Sequence, residues 1–482
     1  MGLVTPVAPV PLADLGRVHF TGIGGAGMSG IARIMIARGV TVSGSDSAGS
    51  DLLASLAALG ADVHVGHAEP NVAGADTVVV SSAIRPDNPE LKAAQARGLR
   101  VLHRAAALAS VMIGRRGVAV AGTHGKTTTT SMITTALRHC GEDPGYVIGG
   151  ILTETGLGAE DGTGPVLVAE ADESDGSFLM LSPEVAVVTC VEADHLDNYA
   201  GLAEIEDAFA AFARRIAPGG VLVACADDPG ARSLAAAAAG LPIRVRTYGE
   251  ADDADYRITS VTPQGMSVSL TVHGPPAAAP GGAPPARLTV GVPGRHNALN
   301  AAAAYAAVLE LGLPSATAGP AASGLAAYRG ARRRMEPKGE AGGVTVLDSY
   351  AHHPTELAAD LRAARDIGPG GRVIAVFQPH LFSRTRIFAG QFGAALGLAD
   401  EVFVLDVYAA REDPEPGVTG ELVARAVPGG RAAYLPDRAA VPAAVADATR
   451  PGDLVLTMGA GDVTALGPLI VAALRARAGA PG

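Results

Sequence analysis

The chain has 482 residues, of which 48% are hydrophobic and 18% charged, so roughly two to four globular domains are expected. A formal net charge of −11 argues against nucleic-acid binding, which normally needs a basic face. We find neither a transmembrane-length apolar run nor a basic signal-peptide start, and the three dispersed cysteines suit reduced thiols. We therefore expect a cytoplasmic protein without membrane insertion.

Strands and helices alternate over the first part of the chain, which predicts a parallel, doubly wound sheet. The expected strands are 17–21, 40–43, 62–65 and 77–81, and the expected helices are 28–38 and 52–59. We assign residues 1–110 to a Rossmann-like domain.

A glycine turn follows the first of these strands and opens a helix. Gly22, Gly24 and Gly27 have the spacing of a dinucleotide-binding turn, and Asp46 closes the next strand. Such a turn indicates an oxidoreductase when taken alone. The same backbone can cradle any pyrophosphate, including that of a UDP-sugar, so both alternatives stay open here.

A second α/β unit, assigned to residues 111–325, begins with a buried strand followed by another glycine turn. Its remaining expected elements are a helix to 139, strands 166–170, 185–189 and 220–225, a helix 204–216, antiparallel strands 256–272 and 287–291, and a helix 294–310. Residues 274–285 are rich in proline, alanine and glycine and predict an exposed, mobile loop.

The second glycine turn predicts an ATP site. Gly122-Thr-His-Gly-Lys126-Thr-Thr128 is a shortened phosphate-binding loop in which Val120 takes the place of the first glycine. Its lysine is one of three in the chain, beside Lys92 and Lys338. The hydroxyl that follows such a lysine, here Thr127, usually holds Mg²⁺.

Acidic residues and a histidine follow the neighbouring strands. Glu170 ends a strand beside the phosphate-binding loop, where carboxylates hold Mg²⁺ in such folds. Glu173 and Asp175, farther along, fit a solvent-exposed acidic loop better. His195 ends the next strand and suits a second metal, a general base or a structural role.

A third α/β unit, also Rossmann-like, is expected over residues 326–482. Its predicted strands are 344–348, 372–377, 401–406 and 453–458, with a helix at 353–367 and a final helix after a glycine turn at 459–462. Adjacent His352 and His353 point in different directions, so at most one is expected in a site. Arg384 and Arg386 follow a strand end, where they suit a carboxylate or phosphate.

Taken together, the motifs resemble the Mur ligase family, and within it the branch that joins an amino acid to a UDP-muramate. The resemblance covers residues 17 to about 470 and is carried by His19–Ala32, Gly122–Thr128, Glu170–Asp175, Glu192–Asp197, Gly294–Asn297, Tyr350–Glu356 and Phe377–His380. The opening segment and the His-His-Pro-Thr-Glu segment are specific to that branch.

The resemblance implies three domains, which bind UDP, ATP and the amino acid respectively. It implies that UDP-N-acetylmuramate and L-alanine are joined through an acyl phosphate, with ATP and Mg²⁺ as cofactors, during peptidoglycan precursor synthesis. The expected partners are these small molecules, with no nucleic acid, and the protein is expected to be a monomer or homodimer.

The resemblance also assigns roles to individual residues. The expected nucleotide site consists of Gly122, Thr123, Gly125, Lys126, Thr127, Thr128, His296, Asn297, Asn300, Arg333 (or Arg334) and Asp348. The expected substrate site consists of Gly24, Gly25, Gly27, Ser45, Asp46, Ser82, Tyr350, His352 and Arg384. The expected catalytic residues are Lys126, Glu170, His195, His352 and Arg384, and the expected metal ligands are Thr127, Glu170 and His195.

Two departures from the family pattern bear on these roles. Ser349 stands where family members commonly have a second acidic residue, which puts the role of Asp348 in question, and Leu381 stands where a basic residue often follows the histidine. We expect Arg384 or Arg386 to take the role of that basic residue. No lysine lies between Lys126 and Lys338, whereas other family branches use a carbamoylated lysine in the central domain.

Three alternatives remain at this point. They are a recycling ligase that joins a whole peptide to UDP-muramate, an oxidoreductase that uses the first glycine turn, and a non-catalytic nucleotide sensor.

Overall fold

A computed structural model of the chain describes residues 3–196, 198–275, 284–368, 370–410 and 412–479. The chain divides into two compact units. The first contains residues 1–259, 271–288 and 299–328, and the second contains residues 260–270, 289–298 and 329–482.

The first sheet is parallel, and its strand order in the described residues is β3-β2-β1-β4-β5. Its elements are β1 (Val18–Thr21), α1 (Ala26–Ala37), β2 (Val42–Asp46), α2 (Asp51–Ala58), β3 (Asp62–Val65), β4 (Thr77–Val80), α3 (Pro89–Ala96), β5 (Arg100–His103) and α4 (Arg104–Met112). The order reverses at β1, which opens a crevice at the carboxyl ends of the strands. The glycine turn lies in this crevice because it joins β1 to α1.

The second sheet has the order β15-β14-β13-β12-β11-β10-β6-β9-β7-β8 in the described residues. Its strands are β6 (Arg116–Ala121), β7 (Gly145–Val147), β8 (Ala159–Glu160), β9 (Val166–Glu170), β10 (Val185–Val188), β11 (Val221–Cys225), β12 (Arg244–Gly249), β13 (Tyr256–Gln264), β14 (Ser267–His273) and β15 (Ala286–Val290). The accompanying helices are α5 (Lys126–His139), α6 (Leu202–Ala213), α7 (Pro229–Ala238), α8 (Arg295–Glu310) and α9 (Ala318–Ala327). Since β6 pairs in parallel with β10 and β9, the phosphate-binding loop after β6 lies between the ends of both neighbours.

The third sheet lies in the second unit and has the order β16-β17-β21-β18-β19-β20 in the described residues, with β16 antiparallel to β17. Its elements are β16 (Glu336–Ala341), β17 (Val344–Ser349), α10 (Pro354–Ile367), β18 (Val373–Phe377), α11 (Phe382–Leu396), β19 (Glu401–Val404), α12 (Gly420–Ala426), β20 (Ala432–Tyr434), α13 (Val441–Ala448), β21 (Leu454–Met458) and α14 (Leu466–Gly479).

Both faces of this third sheet are buried, as expected for parallel strands covered by helices. Ala375 and Phe377 of β18 pack into a cluster with Leu361 and Phe392, while the alternate residue Ile374 packs into a second cluster with other helices. The near-continuous apolar strands of the sequence follow from this two-sided burial.

The predicted alternation agrees with the observed sheets, and strands 62–65 and 166–170 have the predicted bounds. The single strand predicted over 256–272 was wrong: it is a hairpin of β13 and β14, because Gly265, with φ +63°, closes a tight turn. Residues 276–283 of the predicted mobile loop lie outside the described residues. The three domain boundaries stay a prediction.

None of the helices in the described residues combines the length and the apolarity needed to cross a membrane.

Two glycines of α11 provide a matched test of the packing in the second unit. A Cβ on Gly393 would collide with the backbone of Ala426, whereas a Cβ on Gly390 meets nothing within 4 Å. We expect Gly393→Ala to lower the free energy of unfolding by about 1–3 kcal/mol and Gly390→Ala to raise it by about 0.5–1 kcal/mol. Urea unfolding followed by circular dichroism measures both, and equal effects of the two substitutions would contradict the packing.

Candidate active site

The phosphate-binding loop requires glycine at two positions. Gly122 has φ +130° and Gly125 has φ +83°, a region that side-chain-bearing residues rarely adopt. A Cβ on Gly125 would also lie 2.7 Å from Oδ1 of Asn300. The turn leads directly into α5, which begins at Lys126, so the free amides of the first helical turn face the loop.

Lys126 folds back over this turn. Its ammonium donates hydrogen bonds to the backbone oxygens of Gly122 (2.7 Å) and Thr123 (3.2 Å) and to Glu173 (2.9 Å). Burial alone would lower the pKa of Lys126, but the neighbouring carboxylates, Glu173 foremost, outweigh it and raise that pKa. The lysine is therefore a fixed positive charge at the mouth of the loop.

The structure brings together two of the predicted metal ligands. The hydroxyl of Thr127 donates to Oε2 of Glu170 at 2.9 Å, and the same oxygen accepts from the backbone N–H of Gly149 at 2.8 Å. A hydroxyl and a carboxylate are oxygen donors of the kind that Mg²⁺ prefers. The pair fits a magnesium ion beside the phosphates.

His195, the third predicted ligand, lies beside two other carboxylates. Its Nε2 is 3.5 Å from Oε1 of Glu173 and 3.7 Å from Oδ2 of Asp194. Burial would lower the pKa of His195, but the hydrogen bond to Glu173 and the charge of Asp194 outweigh it and raise that pKa. The residue adopts a left-handed backbone conformation, with φ 52°.

The segment 170–175, here called the acidic loop, is not the solvent-exposed loop that the sequence suggests for Glu173 and Asp175. Both are buried, with exposures of 2% and 6%. Glu173 contacts Lys126, while Asp175 accepts a hydrogen bond from Ser82 and lies 3.5 Å from Nε2 of His103. The exposed-loop expectation was wrong because these partners lie far away in sequence.

The acidic loop also reaches the first glycine turn through an arginine. Nη2 of Arg104 lies 2.5 Å from Oδ2 of Asp172. The other end of the guanidinium, Nη1, is 3.5 Å from where a Cβ on Gly27 would stand. A cation therefore lies against the turn that is predicted to receive a pyrophosphate.

Within the first glycine turn, Asp46 supports the backbone. Its carboxylate accepts a hydrogen bond from the N–H of Gly24 at 2.9 Å, and the N–H of Gly25 donates to the oxygen of Gly22 at 3.1 Å. These contacts fix the shape of the turn.

Ser45, also predicted to line the substrate site, is fully buried. Its hydroxyl donates to Glu90 at 2.6 Å, and Glu90 also contacts His19 (3.3 Å) and Asn71 (2.7 Å). Burial would raise the pKa of Glu90, but hydrogen bonds from these partners outweigh it and lower that pKa to about 2. The buried carboxylate of Glu90 thus binds side chains of both β1 and β2.

In the second unit, Asp348 is fully buried at the end of β17. It accepts hydrogen bonds from Thr457 and Thr464, both at 2.7 Å, and lies 3.5 Å from Nε of Arg333. Arg333 also donates to the oxygen of Gly459 at 2.5 Å. These contacts connect the ends of β17 and β21.

Tyr350 lies beneath two arginines, with guanidinium carbons 4.8 Å (Arg333) and 5.3 Å (Arg334) from its ring centre. Nδ1 of His352 is 2.9 Å from the oxygen of Tyr350. His353 caps α10 in a capping box with Glu356. The two histidines thus have different surroundings, and the expectation that at most one of them enters a site stays a prediction. Arg384 is buried within α11.

The residues expected to frame adenosine lie around the start of α8. Nε2 of His296 is 3.6 Å from Asp360, and Nδ2 of Asn297 donates to the oxygen of Pro293 at 2.7 Å. Burial lowers the pKa of His296 despite the opposing charge of Asp360. In the first unit, Oδ1 of Asn300 accepts from Thr129 at 3.2 Å, next to the phosphate-binding loop.

Sequence reasoning missed Arg104 and Glu90 and misplaced Glu173. The arginine begins a helix immediately after a strand, a position typical of site residues, and could have been found from that signal. Glu90 lies in an ordinary helical segment, and its burial gives no sequence signal.

The chain has two glycine turns, and each of them joins a parallel strand to a helix. One of these turns also has a lysine, a hydroxyl and a carboxylate. These features define a nucleotide-binding α/β protein of the phosphate-loop class. Three family models match the chain in series: "Mur ligase family, catalytic domain" over residues 17–116, "Mur ligase middle domain" over 120–308, and "Mur ligase, glutamate ligase domain" over 333–461. The chain belongs to the Mur ligase family, and its three-domain α/β fold is confirmed.

Individual relatives are similar over almost their whole length. The UDP-N-acetylmuramate–L-alanine ligase of Thermobifida fusca is 58% identical, covering 98% of this chain and 100% of the relative. The solved UDP-N-acetylmuramate-alanine ligase of Thermotoga maritima is 28% identical, with a TM-score of 0.78 over 96% of this chain and 99% of that one. A murein peptide ligase of Psychrobacter arcticus shares the fold, with 24% identity and a TM-score of 0.68 over 95% and 99% of the two chains.

The lowered pKa of Glu90 predicts a pH-dependent contribution to stability. The folded-state pKa of about 2 lies below the ordinary 4.5, so the contribution is present above pH 4.5 and declines as the pH falls toward 2. We expect Glu90→Gln to lower the free energy of unfolding by about 2–3 kcal/mol at pH 6, and the difference from wild type to shrink below pH 4.5.

Urea titrations at several pH values measure this difference, with exposed Glu69→Gln as the control. A difference that is constant from pH 6 to pH 3.5 would contradict the role of the Glu90 charge.

Proposed function

We propose that the chain catalyses the ATP-dependent joining of L-alanine to the lactyl carboxylate of UDP-N-acetylmuramate, a step in making peptidoglycan precursors. The observation that carries the proposal is the Lys126–Thr127–Glu170 arrangement at one glycine turn, with a second glycine turn in the same unit. Relatives named UDP-N-acetylmuramate–L-alanine ligase, which are 58% and 56% identical over 98% and 97% of this chain, support the same activity.

The reaction follows from the chemistry of carboxylates. The lactyl carboxylate attacks the γ-phosphorus of ATP, and ADP leaves. In the acyl phosphate formed, the oxygen that was a poor leaving group departs as phosphate when the amine of L-alanine attacks the carbonyl carbon. The amine loses a proton as the amide bond forms.

Because both steps bring anions together, the protein mainly neutralises charge and aligns the reactants. Lys126 and the amides of the phosphate-binding loop hold the phosphates, and His296, Asn297 and Asn300 frame the adenosine. The first glycine turn holds the UDP moiety. In the second unit, Tyr350, His352 and Arg384 contact the amino acid or the phosphates.

Thr127 and Glu170 would hold Mg²⁺, with His195 as a candidate third ligand. Bound there, the ion would neutralise negative charge on the phosphates. The number of metal ions, a cytoplasmic location and a monomeric or homodimeric state remain predictions.

The test is ADP release measured with UDP-N-acetylmuramate and one amine at a time: L-alanine, glycine, L-serine or a tripeptide with a free amino terminus. The proposed ligase requires both co-substrates and prefers L-alanine. Preference for the tripeptide would instead support a recycling ligase. Saturable NAD binding that UDP compounds do not displace would support an oxidoreductase.

Two substitutions separate the two glycine turns. We expect Lys126→Ala to abolish ADP release while UDP-N-acetylmuramate affinity stays within about twofold, because the lysine belongs to the other turn.

We expect Gly25→Val to raise the KM for UDP-N-acetylmuramate and leave that for ATP unchanged. A Cβ at Gly25 would come no closer than 3.4 Å to atoms beyond its two chain neighbours, so the turn has room for the branch point of the side chain, and we expect the side chain to obstruct the ligand.

Steady-state kinetics and calorimetric binding measure both variants. Equal loss of the two affinities in either variant would contradict separate sites.

A further inference from the structure

Glu173 lies at the phosphate-binding loop, yet the proposed mechanism gives it no task. Its side chain is 3% exposed, and its two carboxylate oxygens each lie 2.9 Å from Nζ of Lys126. The carboxylate therefore faces the ammonium with both oxygens, much as a phosphate group would.

The ammonium of Lys126 has three protons, and three acceptor groups surround it. Two are backbone oxygens of the turn, on Gly122 (2.7 Å) and Thr123 (3.2 Å), and the third is Glu173. A phosphate oxygen can reach the ammonium only if one acceptor leaves. The backbone oxygens belong to the turn that cradles the phosphates, so the movable acceptor is the carboxylate.

Glu173 has a second polar neighbour, and its backbone oxygen is held by a hydrogen bond. Oε1 lies 3.5 Å from Nε2 of His195, and the backbone oxygen accepts a hydrogen bond from the hydroxyl of Tyr199 at 2.5 Å. The side chain can thus turn from Lys126 toward His195 while its backbone keeps the hydrogen bond from Tyr199.

We propose that Glu173 is a positioning residue that occupies the phosphate contact of Lys126 when no nucleotide is bound and yields it to the incoming phosphates. The carboxylate keeps a buried ammonium paired and aimed at the loop, and it competes with the nucleotide for that ammonium. This inference rests on the proposed function, because it requires that the loop binds ATP.

The competition is measurable with ADP as the probe, by calorimetry on the full chain in EDTA, where no divalent ion contributes. We expect Glu173→Gln to bind ADP about five- to tenfold more tightly than wild type, since the amide competes weakly for the ammonium. Glu173→Asp keeps the charge but is one methylene shorter, so we expect it to bind ADP more tightly than wild type by a smaller factor.

Glu184→Gln is the matched control. It removes one carboxylate from the same unit, but Glu184 pairs with Arg116, with Nη2 2.5 Å from Oε1. We expect its ADP affinity to equal that of wild type. Circular dichroism of each variant establishes that it is folded.

Unchanged or weaker ADP binding by Glu173→Gln would overturn the inference. So would a Glu173→Asp variant that binds like wild type while Glu173→Gln binds more tightly, because general charge repulsion would then account for the result. If wild type binds neither ADP nor ATP with or without Mg²⁺, the proposed function itself fails, and this inference fails with it.

Discussion

The ammonium of Lys126 is the charge around which the first unit is organised. It closes the phosphate-binding loop by bonding to two of the loop's own oxygens, and it pairs with Glu173 of the acidic loop. Because the lysine is nearly buried, its charge requires a partner, and the acidic loop provides one. The acidic loop in turn carries Asp172, which pairs with Arg104, and Asp175, which bonds to Ser82. The six-residue acidic loop therefore connects the phosphate-binding loop to residues that follow the strand ends of the first sheet.

This connection depends on parallel strands. Strand β6 precedes the phosphate-binding loop, β9 ends at Glu170, and β10 leads toward His195, and all three run in the same direction. Their carboxyl ends meet at one edge, so residues more than forty positions apart in sequence come within hydrogen-bond distance there, as Thr127 and Glu170 do. The sheet thus brings the loops together, and the loops supply the charged and polar groups.

The sequence predicted those features that local patterns encode. Alternating elements predicted the parallel sheets, and the spacing of glycine, lysine and threonine predicted the phosphate-binding loop at its observed place between β6 and α5. The position of Glu170 beside the phosphate-binding loop was predictable because this residue directly ends an apolar strand.

Burial of polar groups was not predictable in the same way. Asp175 looks like part of a charged surface segment, since its partner Ser82 is remote in the chain. Ser45 and Asp46 end a strand, as ligand-binding residues often do, but Ser45 donates a hydrogen bond to Glu90 and Asp46 accepts one from the N–H of Gly24. Such pairings depend on which helix lies against which strand end, and no short-range pattern records that.

Ser349 is a second case in which the sequence pattern does not reveal the surroundings of a residue. A serine replaces an acidic residue of the family pattern, which suggests that a negative charge has been lost from the end of β17. In the second unit, however, the hydroxyl of Ser349 donates to the carboxylate of Asp360 on α10, and that carboxylate faces His296. Burial raises the pKa of Asp360, although the hydrogen bond from Ser349 and the charge of His296 oppose the shift. A carboxyl group is thus still present beside position 349, supplied by a helix rather than by the strand.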